Sequence, residues 1–169
     1  MSTETTVRET IKTAIEGIAI HGLGFDSNVG AVKDHPLEYV REEVAARYLS
    51  NAVNGSITFR VWSVFVESRE EAIAITSNGG VNVPLVERFY TVKVAGYYKQ
   101  TADGEALNTL IDHARKVRGA VYALGSKLGN NVDRFLGVQP LSLQMEDSEA
   151  GGLIVGTMVF EYAKRNPTF

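Results

Sequence analysis

The chain has no cysteine, which removes disulfides, thiolate metal sites and a cysteine nucleophile together. The compartment stays open, because a cysteine-free chain suits cytoplasm and extracellular space alike. Histidine is nearly as scarce. His21, His35 and His113 include no pair at a metal-ligand spacing such as i, i+4 on a helix. Asp112 is adjacent to His113, but neighbouring helical residues point in different directions. Positive charge is not in surplus either: the formal net charge is -3, without the Lys and Arg excess that neutralises phosphates in strong duplex binding. Residues 1–13 hold Glu4, Arg8, Glu9 and Lys12 and lack the apolar run of a signal peptide or membrane span. No P-loop or Gly-x-Ser-x-Gly elbow occurs, and Gly22-Leu23-Gly24 follows a helical pattern and lacks the third glycine of a dinucleotide fingerprint. Asp34 and His35 beside Glu38 have the chemistry of an acid/base pair. A helix N-terminus with acidic residues in its first turn accounts for the same residues. No catalytic set, metal or cofactor is expected.

What is present suits one domain. The 169 residues are 44% hydrophobic and 22% charged, ordinary values for a soluble chain with its own core. Val7, Ile11, Ala14, Ile15 and Ile18 predict an amphipathic helix that Thr3 or Thr5 can cap. Residues 25–34 read as a short strand and turn. Pro36 then opens a helix over 37–50, with Val40, Val44, Ala45 and Tyr48 on one side. The strongest strand signal is 56–67, where Ile57, Phe59, Val61 and Phe65 take one face and Trp62, Val64 and Val66 the other. A strand apolar on both faces is central or covered twice. A second strand covers 87–99, with Tyr90, Val92 and Val94 opposed to Thr91 and Lys93. The best helix is 105–124, whose Leu107, Leu110, Ile111, Ala114, Val117, Val121 and Leu124 share a face that excludes Asp112, Arg115, Lys116 and Arg118. Finally, Leu141, Leu143 and Met145 alternate with Ser142, Gln144 and Glu146, an acidic turn follows over 146–152, and 153–162 alternates again. The order predicts a single α+β domain over 1–169, an antiparallel or mixed sheet with helices packed mainly on one face.

Between the two long strands, residues 68–86 are expected to form a long loop, since a tight hairpin needs far fewer residues. Ile73, Ile75, Val81, Val83 and Leu85 make it too apolar for a solvated linker. The expectation is a segment mobile in the free protein and ordered against a neighbour, turning at Asn78-Gly79-Gly80. The alternative is a long hairpin already folded in the monomer. Arg115, Lys116, Arg118, Lys127 and Arg134 read as solvated charge. Trp62, Phe65, Tyr90, Tyr97 and Tyr98 read as core or interface before cofactor box.

Several strings fall in a recognisable order. They are the 7–18 helix, the Gly30, Val32 and Asp34 segment, the aromatic strand pair around Trp62 and 89–97, and the 105–124 helix. The ending is Gly151-Gly152-Leu153-Ile154-Val155-Gly156-Thr157-Met158-Val159-Phe160-Glu161-Tyr162. This arrangement resembles the tail-terminator (tail-completion, minor tail) proteins of long-tailed bacteriophages and prophages. The resemblance implies a structural virion protein with no substrate and no cofactor. Such proteins form a ring, commonly a hexamer, that caps the tail tube, stops its polymerisation and forms the surface for head-tail joining. The implied partners are further copies of the chain, the tail tube protein and the head-side connector protein. DNA passes through the lumen without specific binding, and no membrane is involved. The implied location is the head-tail junction of the virion, after assembly in the host cytoplasm.

A head-to-tail ring uses two different patches per subunit. The interface candidates are the face carrying Trp62, Val64 and Val66 and the edge carrying Leu153, Val155, Thr157 and Val159. The assembly-loop candidates are Ile73, Ile75, Asn78, Gly79, Gly80, Val81 and Val83. Glu146, Asp147 and Glu149 are lumen candidates, because acidic groups repel phosphate and let DNA slide. The alternatives are another neck or baseplate adaptor of a virion, or a small α+β enzyme or ligand-binding domain with a pocket drawing on Asp34, His35 and His113.

Overall fold

A computed structural model describes residues 3–18, 32–33, 60–100, 104–146 and 152–165. The expected helix at 37–50, Gly22-Leu23-Gly24, His21, His35, Asp34, Asp147 and Glu149 lie outside the described residues. Two helices occur among those described, α1 (Thr3–Glu16) and α2 (Glu105–Ala123). The strands are β1 (Val32–Lys33), β2 (Arg60–Asn78), β3 (Val81–Lys99), β4 (Arg134–Glu146) and β5 (Leu153–Arg165), in the sheet order β1-β2-β3-β5-β4. The two-residue β1 pairs parallel to β2, and the other four strands are antiparallel. The result is an α+β fold with a single sheet.

Register explains where the core lies. Trp62 is opposite Gly96 and Gly96 opposite Gly156; the next rows are Val64, Val94 and Met158, then Val66, Val92 and Phe160. Residues directly opposite share a face, so these rows form one apolar surface. Against it pack Val7, Ile11 and Ile15 of α1 and Leu110, Ala114, Val117 and Val121 of α2, spaced as one side of a helix should be. Glycine is required at Gly96 by close approach. A Cβ there would lie 2.8 Å from the Trp62 ring and 2.9 Å from Leu110, so the missing side chain is the space the indole and α2 occupy. The opposite face is also buried at this end, at Val61, Ala95, Tyr97, Leu153 and Val155, as the doubly apolar pattern of the 56–67 stretch requires.

Residues 68–86 are not a loop. β2 and β3 continue through them as paired strands to a two-residue turn at Gly79 and Gly80, with φ +60° and +85°. Positive φ at both turn positions suits the hairpin turn whose twist matches its strands. The expected loop is replaced by the folded hairpin for two reasons visible in the pairing. Glu70 lies across from Arg88 and forms an ion pair with it, so charges that looked like loop residues are cross-strand partners. A bulge between Ala72 and Ala74 then interrupts the alternation, shifting later residues to the opposite face. β4 likewise starts at Arg134, earlier than the 141–146 alternation suggested. Breaks in register between Phe135 and Gly137 and between Gln139 and Ser142 accommodate Gly137 and Pro140, as only an edge strand readily does.

Candidate assembly surface

Among the described residues, β5 pairs with β3 from Lys99–Leu153 down to Glu87–Arg165. Among the described residues, only β2 and β3 continue beyond Glu87. About 25 Å of two-stranded arm projects from the body, at roughly 3.3 Å per strand residue. Its base is fixed by charge. The Glu87 side chain is only 5% exposed, Arg134 donates to it at 2.6 Å, and the Arg165 guanidinium lies 3.9 Å away. Arg69 pairs with Glu71 and lies 4.8 Å from the centre of the Phe89 ring, and Lys93 reaches Glu67 at 3.4 Å.

Past this base the chemistry changes. From Ala72 to Val86 there is no charged residue. Ile73 is 40% and Ile75 73% exposed, Ala72, Ala74 and Pro84 are exposed, and Leu85 and Val86 are half-buried. All seven assembly-loop candidates fall on this arm: Ile73 at the bulge, Ile75 opposite Pro84, Val83 opposite Thr76, Asn78 opposite Val81, and Gly79 and Gly80 at the tip.

The interface candidates need correction. Trp62 and Val64 are fully buried, Val66, Leu153 and Val155 nearly so, while Thr157 and Val159 are half-buried. Trp62, Val64 and Val66 meet the protomer's own helices, so they offer no surface to a neighbour. Alternation identifies two faces of a strand but does not say which one the chain's own helices will cover. Of the lumen candidates, Glu146 ends β4 opposite Leu153; the other two lie outside the described residues.

A second surface escaped the sequence reading. Among the described strands β4 is an edge of the sheet, and Leu136, Leu143 and Met145 on it are 42%, 43% and 53% exposed. Between this strand and α2 runs a groove. One cavity there measures about 280 Å³ and is lined by Ile111, Ala114, Arg115, Arg118, Leu141 and Met158; another of about 190 Å³ has walls including Tyr122, Phe135 and Tyr162. The available signal was the stretch from Phe135 to Met145, which contains no charge although it is an edge strand.

The core also holds a polar hydrogen-bond chain. Trp62 Nε1 donates to Tyr98 Oη at 3.0 Å, and Tyr98 Oη lies 2.5 Å from His113 Nδ1. Burial, with Arg60 and Lys116 adding to it against Asp112, lowers the His113 pKa to about 4. The neutral imidazole can therefore accept the Tyr98 hydroxyl proton at Nδ1, which gives the indole N–H and the Tyr98 hydroxyl each a partner. His113 lines neither groove cavity. Among the described residues no group of three or more His, Cys, Asp or Glu is placed to hold a metal, and no helix is long and apolar enough to cross a membrane.

Compared with known proteins, the chain matches no family model and no curated sequence.

Proposed function

We propose that this chain is a structural virion protein of the tail-terminator type. Copies of it close into a ring, six being the favoured number by resemblance. The ring caps the tail tube, stops its polymerisation and presents a surface for head-tail joining, with DNA passing through its lumen. Its partners in this reading are the tail tube protein and the head-side connector. The observation that carries the assembly part is the arm beyond Glu87, an uncharged ribbon with exposed Ile73 and Ile75 that, among the described residues, is paired only with itself. A two-stranded hairpin alone is marginally stable in water, and an uncharged apolar edge is a template for pairing with another chain. An arm of this kind has a use when a neighbour covers it. The order of elements and the Gly151 to Tyr162 ending supply the likeness to terminators.

The test is negative-stain imaging of the purified protein, alone and mixed with tail tubes. Rings in solution, or rings on tube ends with tube length arrested, are the expected result. A protein that stays monomeric at high concentration and leaves tube growth unchanged would overturn the reading.

A further inference from the structure

We propose that the acceptor for the β2–β3 arm is the β4 edge and the adjoining α2–β4 groove of a second copy of this chain. The proposal rests on the assembly reading above and names the surface that reading leaves open. The arm, Ala72 to Val86, is the longest uncharged stretch of the sequence, and the acceptor strand is uncharged from Phe135 to Met145, in a chain where 22% of residues are charged. Neither carries Lys or any other charge against pairing; Pro84 on the arm and Pro140 with the register breaks of β4 limit backbone pairing to the residues beside them, which leaves Ser142 to Met145 as the regular part of the β4 edge. They cannot satisfy each other within one protomer. β5 and β3 stand between β4 and β2 in the sheet, and the arm continues past Glu87, where β5 ends.

A second copy is therefore the occupant that resolves both exposures at once. The apolar atoms of Ile73, Ile75 and Leu85 meet Leu143 and Met145, and the backbone of the arm meets the open side of β4 by strand addition. The Arg115 and Arg118 rim of the groove does not oppose this, since the arm brings no cation between Ala72 and Val86. The arm also has enough surface. Fifteen residues, with exposed positions from Ala72 to Ile75 and at Gly79, Gly80, Asn82 and Pro84, approach the roughly 20 residues per side of a standard interface. Because the donor and the acceptor are different patches, the contact is head-to-tail, the kind that closes into a ring or grows into a filament according to its rotation.

The absence of cysteine makes the test direct. Ile75→Cys and Leu143→Cys are introduced together, both at exposed positions, and the protein is treated with a short bis-maleimide. The paired control combines Ile75→Cys with Glu9→Cys, a side chain on α1 that is 49% exposed. Far-UV spectra and melting curves check that each variant is folded. The expected result is a covalent ladder of multimers for the 75/143 pair and its loss for the 75/9 pair. Mixing the two single variants should give 75–143 heterodimers only. Rings by negative stain without a ladder would overturn the proposed acceptor and leave the terminator reading standing. A ladder that builds open filaments would uphold the acceptor and count against the capping ring, whereas a folded protein with neither ladder nor rings would overturn both. Cross-linking of 75 to 75, or of 143 to 143, would replace the head-to-tail contact with a symmetric one and also overturn the proposal.

Discussion

One hairpin has two halves with opposite surroundings. Near its open end, Trp62, Val64, Val92 and Val94 are fully buried under both helices. Near its tip, Ile73 and Ile75 are exposed, and among the described residues no third strand lies beside them. The backbone pairing is continuous across both halves, broken only by the bulge at Ala72/Ala74. The same β-structure is therefore stabilised by packing in one half and left to find its packing elsewhere in the other. What separates them is the Glu87 cluster with Arg134 and Arg165, where the four-stranded sheet ends.

The largest contrast is expected from truncating apolar side chains in each half. Trp62→Ala removes a fully buried indole and should cost about 3–5 kcal/mol of stability, read from urea unfolding. Ile75→Ala, at 73% exposure, should change the monomer's stability by no more than about 0.5 kcal/mol. Equal costs at the two positions would mean that the arm belongs to the core.

At the boundary the effect is smaller. Arg134→Ala removes the 2.6 Å donor to a Glu87 side chain that is only 5% exposed. The carboxylate is left with Arg165 at 3.9 Å, which should cost about 1–3 kcal/mol. Arg134→Lys should recover part of that, and a neutral outcome for Arg134→Ala would show that the cluster does not stabilise the base of the arm.

The third contrast is a pH dependence in the packed half. The folded His113 pKa is lowered from 6.5 to about 4, chiefly by burial, so below pH 6.5 the unfolded chain binds a proton that the folded chain refuses. The contribution is fully present above pH 6.5 and is lost as pH falls toward about 4. Denaturation midpoints measured across this window should fall less steeply in His113→Gln than in the parent. An unchanged slope would mean that His113 titrates normally. Ile75 variants should keep the parent's pH dependence, because they retain His113 and the arm from Ala72 to Val86 has nothing that titrates.

How much of this was legible in the sequence follows the same division. Where burial imposes a pattern, the pattern could be read: the spacing of Leu110, Ala114, Val117 and Val121 placed α2 within a residue of its observed ends, and the double apolar face around Val61 and Trp62 predicted burial on both sides. Where residues project into solvent, alternation has no cause. Arg69, Glu70 and Glu71 then look like loop residues until register shows Glu70 across from Arg88. The assignment of Trp62, Val64 and Val66 to an interface failed for a related reason. Their apolarity was evident, but their contact with α1 and α2 is a property of topology. The β4 edge was hidden by Gly137 and Pro140, which usually mark a break and here sit at irregularities in register.

The central claim is that assembly resides in the arm while folding does not. The most direct measurement is light scattering of the intact protein beside a variant in which residues 74–82 are replaced by a two-residue turn, with far-UV spectra and melting curves recorded on both. The account predicts a multimer of ring mass for the intact chain and a folded monomer of unchanged melting temperature for the trimmed one. An unfolded trimmed chain, or a trimmed chain that still forms the same multimer, would contradict it.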